Sequence, residues 1–127
     1  MGVSEDLYRQ AMIMLSAAET WQDLRRRLDQ AGLTNRLGVE RMDTLLVAWY
    51  RKETAGLDDR QLAGELRFWS GGGTYLAHPR GYAAPPPAVL VEEARRRGWA
   101  VRSLMSGGGV AIDLPDGPSE VLRTLVV

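Results

Sequence analysis

Acid–base chemistry near neutral pH falls most readily to histidine, and this chain of 127 residues has one, His78, in the segment Ala77-His78-Pro79-Arg80-Gly81-Tyr82. A working imidazole needs a carboxylate to orient it, and no spacing in the sequence supplies that partner, so His78 reads as a surface or hydrogen-bonded structural residue. The adjacent acids Asp58-Asp59 and Glu92-Glu93 point apart on a helix and form no catalytic dyad. The first pair reads as helix-start acids that complement the macrodipole, the second as ion-pair partners. With one histidine and no cysteine, zinc, copper and iron sites of ordinary composition are excluded. Asp113 and Asp116 flank Pro115 without a calcium-loop pattern and read as turn residues. These residues imply no catalytic group, no metal and no cofactor.

The string Ser-Gly-Gly-Gly occurs twice. Residues 70 to 79 read Ser-Gly-Gly-Gly-Thr-Tyr-Leu-Ala-His-Pro and residues 106 to 115 read Ser-Gly-Gly-Gly-Val-Ala-Ile-Asp-Leu-Pro. A phosphate cradle would need these glycines to open a helix, with Gly-Lys-Ser/Thr or the spaced glycines of a dinucleotide fingerprint. Both segments lead instead into apolar, strand-like residues. Glycines between β-branched and aromatic neighbours are hairpin grammar, so a tight reversal is expected at each copy, with Gly108 at positive φ in the second.

Recognition is the other chemistry available. Arg25-Arg26-Arg27 and Arg95-Arg96-Arg97 each fall on an expected helix, and a helix followed by a two-stranded hairpin, as in Ala88 to Leu114, has the outline of a winged helix. The same arginines stand at ion-pair spacing: Glu92 to Arg96, Glu93 to Arg97, Asp23 to Arg27 and Arg25 to Asp29 are all i, i+4. Trp21, Trp49, Trp69 and Trp99 fall near element ends and read mainly as core. Tyr75 and Tyr82 beside Arg80 suit a protein-binding hot spot, because aromatics and arginine bring large contact area at low entropic cost. The candidate contact residues are therefore Arg95, Arg96, Arg97, Arg80, Tyr75 and Tyr82.

These residues need a scaffold, and the length suits one domain with a single core. Sixteen basic side chains balance sixteen acidic ones, so no global field recruits nucleic acid or an anionic membrane. Only Lys52 is lysine and the other fifteen are arginine, which reads first as coding bias. The absence of cysteine fits a reducing compartment. The acidic start lacks a signal peptide's charged and apolar regions, and no apolar run approaches the about 18 residues that span a bilayer. A cytoplasmic protein is expected.

Helical spacing runs through the first half. Leu7, Ala11, Met14, Leu15 and Ala18 form one stripe from about residue 4 to 18. Thr20 caps a second helix carrying Leu24 and Leu28 and ending at Gly32. Val39, Met42, Leu45, Leu46 and Trp49 mark a third from Gly38 to about Glu53, and Gly56 stops it. Asp58 and Gln61 have capping-box spacing, with Leu57 stapled onto Leu62, so a fourth helix starts there. It is expected to end near Leu66, although Leu62, Leu66 and Trp69 also fit a continuing helix. Ala83-Ala84-Pro85-Pro86-Pro87 forms a stiff lead into a helix with Leu90, Val91 and Ala94 inside and Gly98 at its end. Trp99 to Met105 and Val110 to Leu114 are expected strands, and Val121 to Val127 a third strand or a short helix. The expected fold is α+β in one domain, 1–127: residues 1–66 mainly helical, and 67–127 a hairpin, a helix and a hairpin.

Gly71-Gly72-Gly73-Thr74-Tyr75 followed by Pro79-Arg80-Gly81 resembles the Gly-Gly…Tyr…Pro-x-Gly segment of Mor-type phage transcription activators, over about a tenth of the chain. That resemblance implies a small, dimeric, helical DNA-binding protein, but Trp99 to Val127 shows no counterpart of the family's C-terminal helix-turn-helix. The helix pattern of Leu7 to Tyr50 looks like that of small helical adaptor domains, including death-like effector-associated domains. The sequence as a whole is read as a non-enzymatic binding module engaging another protein or a second copy of itself. A DNA-binding regulator is the alternative, and an enzyme comes third.

Overall fold

A computed structural model describes residues 2–103, 109–115 and 120–122, with side chains described for residues 5–103 and 109–115. The fold is α+β: among the described residues it has five α-helices followed by a three-stranded antiparallel sheet. The chain divides into two compact units, residues 1–49 and 50–127.

In the first unit α1 spans Gly2–Ala17 and α2 spans Trp21–Gln30. The expected cap is present: the Asp23 amide donates to Thr20 Oγ1 at 3.0 Å. Buried Leu7, Ala11, Leu15 and Ala18 in and just after α1, with Leu24 and Leu28 from α2, confirm both stripes. Trp21 lies 6.4 Å from Trp49, centroid to centroid, and Arg41 stacks over Tyr8. Helix α3, Thr34–Ala55, is broken at Gly38, whose φ of 79° and ψ of 172° are not helical. The expected start at Gly38 is thus a break preceded by one extra turn. Leu45 and Trp49 are buried as the stripe requires, but Val39 is 79 % exposed. As the first residue after the break, Val39 stands outside the packed face.

The second unit holds the tail of α3, α4 (Asp59–Ser70), a 3₁₀ turn (Gly81–Ala83), α5 (Pro87–Arg96) and strands β1 (Val101–Ser103), β2 (Val110–Ile112) and β3 (Glu120–Leu122). Both halves of the Asp58/Gln61 capping box are formed, and Pro87 opens α5 at its first turn. Leu62, Ala63 and Leu66 of α4 pack with Leu90, Val91 and Ala94 of α5 and with Val110, Ile112 and Leu114, and Leu57, Trp69, Trp99 and Val101 close over this core. Val101 stands opposite Ile112 and Ser103 opposite Val110, so the expected second hairpin is present. β3 pairs with β2, which settles residues 120–122 as strand. The reversal itself, including Ser106, Gly107 and Gly108, lies outside the described residues, as do Asp116 and residues 123–127.

The expected first hairpin is not there. Helix α4 continues to Ser70, four residues past the expected end, because Leu66 and Trp69 extend its buried stripe into the core. Gly71 to Gly73 then stop it in a Schellman motif: the Gly72 amide donates to the Trp69 carbonyl at 3.2 Å and the Gly73 amide to the Phe68 carbonyl at 3.0 Å. Gly72 supplies the left-handed residue, with φ of 87°. Residues 71–80 form turns with no strand among them.

Candidate functional site

The loop from Gly71 to Pro86 sits against the end of α4, and His78 pins it there. His78 is 9 % exposed. Its Nδ1 accepts from the Arg80 amide at 3.1 Å, so that nitrogen carries no proton and the ring hydrogen sits on Nε2. Nε2 faces the Glu65 carboxylate, at 3.0 Å from Oε2 and 3.2 Å from Oε1. The carboxylate missing from the sequence reading is therefore Glu65, thirteen residues upstream. It faces the loop because it lies on the partly exposed side of α4, one position before core residue Leu66. No short-range spacing could have found it.

A general base of the usual kind keeps one ring nitrogen for its carboxylate and offers the other to the substrate. Both nitrogens of His78 are occupied by the protein itself. Its ring also packs edge-on to Phe68 at 5.0 Å and stacks with Trp69 at 6.2 Å. The arrangement is that of a staple.

Arg80 adds a second tie. Its guanidinium reaches Glu53 at 3.1 Å and Glu65 at 3.5 Å, joining the loop to α3 and α4. Tyr50 donates its hydroxyl to the Tyr82 carbonyl at 2.9 Å. Trp69 meets Tyr75 edge-on at 5.0 Å, and Tyr75 stacks on Tyr82 at 5.2 Å. Burial raises the Tyr75 hydroxyl above the ordinary phenol range, and burial followed by the nearby Tyr75 and Glu53 does the same for Tyr50. Two apolar side chains project from this fixed loop, Leu76 at 88 % exposure and Tyr82 at 73 %. Leu76 was not among the sequence candidates, since an exposed leucine cannot be told from a core leucine in a segment without periodicity.

A groove of about 480 Å³ runs between α4 and the loop. Its walls are Leu57, Phe68 and Pro79, its charged lining is the Glu65/Arg80 pair, and Gly64 opens onto it.

The second arginine triplet separates into three different residues. Arg97 is tied to the chain: it donates to the Leu57 carbonyl at 2.6 Å and the Thr54 carbonyl at 3.3 Å, and pairs with Glu93 at 2.7 Å and Asp59 at 3.0 Å. Arg96 also holds Glu93, its Nε at 3.0 Å from Oε1. Glu92 pairs with Arg51 at 3.2 Å and not with Arg96. Arg95 is exposed, and among the described residues no ion pair holds it. Desolvation pushes the buried Glu93 carboxyl up, but hydrogen bonds from Arg97 and Arg96 outweigh it and hold the group below the ordinary carboxylate range. For Arg97, desolvation acts downward, and Glu93 and Asp59 together raise it further above its usual value.

In the first triplet, Asp23 pairs with Arg26 and, at 3.1 Å, with Arg27. Desolvation there is again outweighed, by hydrogen bonds from Arg27 and Arg26, so the Asp23 carboxyl is lowered. Asp29 accepts from the Thr34 hydroxyl in place of the expected Arg25.

Among the described residues no three His, Asp or Glu side chains converge as a metal site would need, and no helix is long and apolar enough to cross a membrane. No protein-family model matches the chain, and neither a curated protein nor a solved structure does.

Proposed function

We propose that this chain is a small, cytoplasmic, non-enzymatic binding module that engages another protein, or a second copy of itself, through the loop from Thr74 to Tyr82. One observation carries the reading: Leu76 and Tyr82 stand exposed on a loop whose conformation is already fixed by His78, Arg80 and the stacked tyrosines. A contact surface held in one conformation loses little entropy on binding, and aromatic anchors on such surfaces carry most of the affinity. Tyr75 and Arg80 act in this reading mainly as supports. Arg95 is the remaining candidate contact, on α5.

The DNA-binding alternative draws on the order of α5, β1 and β2 and on the exposure of Arg95. Arg96 and Arg97 already have partners inside the protein, which leaves that helix one uncommitted cation for phosphate.

The test is capture by the immobilised full chain, comparing wild type with a Leu76→Asp/Tyr82→Ala variant of unchanged melting temperature. Bound protein should fall at least about tenfold, the equivalent of roughly 1.4 kcal/mol. Equal capture by both would overturn the proposal. Retention of duplex DNA that weakens log-linearly as salt rises would favour the alternative.

A further inference from the structure

We propose that the groove beside His78 is filled by a second copy of this chain, with Leu76 of each copy entering the groove of the other. The proposal rests on the loop being a contact surface and adds the identity of the partner. Leu57, Phe68 and Pro79 give the groove its apolar wall, and of the polar lining Gln61 is held by the Asp58 amide in the capping box. The groove's charges are internally matched: Glu65 and Arg80 are paired at 3.5 Å, and both ring nitrogens of His78 already have partners in the chain. An ion entering would have to compete with that pair, whereas an uncharged aliphatic side chain leaves it intact.

Such a side chain stands on the same loop. Leu76 is 88 % exposed, and its neighbours Thr74, Tyr75 and Ala77 carry no charge near neutral pH. A two-fold symmetric contact needs one surface that bears both a projection and a receptor, and residues 74–80 supply the first and one wall of the second.

Gly64 points the same way. It lies in the interior of α4, where glycine weakens a helix, yet a Cβ built there meets nothing within 4 Å. Nothing within the described chain requires the missing methyl, and the space it leaves belongs to the groove.

Sedimentation of the full chain from about 5 to 500 µM tests this, because a contact of two leucines and their surroundings belongs to the weak, transient class. The expected result is a monomer–dimer equilibrium inside that range. Leu76→Asp removes the projection and Gly64→Leu fills the receptor, and each should weaken self-association at least about tenfold while keeping the helical circular dichroism spectrum and a melting temperature no lower than that of wild type. Mixing the two variants should partly restore dimers, because one intact Leu76 then meets one open groove. A wild type that stays monomeric at the highest concentration overturns the proposal, as does a dimer that both variants leave untouched. Should Gly64→Leu fail to fold, Leu76→Asp alone decides, since a side chain 88 % exposed contributes little to the folded state. A monomeric wild type that still captures a different protein through Leu76 and Tyr82 would sink this inference and leave the binding-module reading standing.

Discussion

Residues 70–73 and 106–109 carry the same Ser-Gly-Gly-Gly string, yet the first stops α4 in a Schellman motif and the second lies between two strands paired with Val101 opposite Ile112. The difference is made upstream. Before Ser70 the chain has been helical since the Asp58/Gln61 capping box, and Leu62, Leu66 and Trp69 keep one face in the core up to the glycines. Before Ser106 the helix has already ended, at Gly98, whose amide donates to Arg95 while that of Trp99 donates to Ala94, and the chain is extended from Val101. The glycine string does not itself choose its setting, and the segment entering it does.

The ends of α4 and α5 share that stop geometry but are secured by different forces. Charge secures α5, where Arg97 ties Glu93, Asp59 and two backbone carbonyls together. Shape secures α4, where the Gly73 position lies hard against Phe68. Each can be broken separately.

The largest effect is expected at α5. Arg97→Ala leaves Glu93, whose side chain is 8 % exposed, with Arg96 as its remaining partner, breaks the tie to Asp59 and takes the guanidinium donor from the Leu57 carbonyl. Removing the only partner of a fully buried charge costs about 3 to 5 kcal/mol, and the lower end applies here because Arg96 still pairs with Glu93 and water still touches the guanidinium. Chemical denaturation measures it, with Arg95→Ala as the control expected to change stability by less than about 0.5 kcal/mol. The same network makes this end sensitive to acid. Because the folded state holds the Glu93 carboxyl below its ordinary range, its contribution is complete above the unfolded-state pKa, about 4.3 for a free glutamate, and is lost as pH falls through the lower folded value. The stability gap between wild type and Glu93→Gln should therefore close on acidification below about pH 4. A gap that is constant with pH would mean that Arg97 acts by packing alone.

A smaller cost, about 1 to 3 kcal/mol, is expected for Gly73→Ala. An added Cβ would lie 2.5 Å from both the Phe68 carbonyl oxygen and a carbon of the Phe68 ring, so the backbone as well as the ring must shift. Because Phe68 touches His78, the disturbance should reach the loop, visible as a shift of the Arg80 amide resonance. No change in either the unfolding midpoint or that resonance would show that shape does not secure the end of α4, and the contrast with α5 would fall.

What the sequence revealed divides along the range of the interactions. Thr20, the Asp58/Gln61 box and Pro87 act within a few residues, and each does what its type and spacing implied. The core stripes of α1, α2, α4 and α5 were equally legible, because helical periodicity and burial express one pattern. The length of α4 was not, since Phe68-Trp69 satisfies strand and helix alike until the core it packs on is known. The support of the loop was least legible of all: Glu65 to His78, Glu53 to Arg80 and Tyr50 to Tyr82 join residues 13, 27 and 32 positions apart. No local rule reaches that far. For the same reason the three arginines after Glu93 looked alike in the sequence and differ in the fold.

The smallest effect, and the only one expected to be favourable, is at Gly64. Alanine exceeds glycine in a helix interior by about 0.5 to 1 kcal/mol, partly through the entropy of the unfolded chain, provided the backbone is helical and the methyl is free of contacts. Both conditions hold, because α4 is regular there and nothing lies within 4 Å of the added atom. Gly64→Ala should therefore raise the melting temperature, where Gly73→Ala, nine residues along the same segment, lowers it. The pair isolates what each glycine does for α4: one is fixed by the contact it avoids, the other costs the helix stability for an opening onto the groove. An alanine that destabilises at position 64 would show that the groove closes on that face of α4 in solution, and would remove the receptor that Leu76 is proposed to enter.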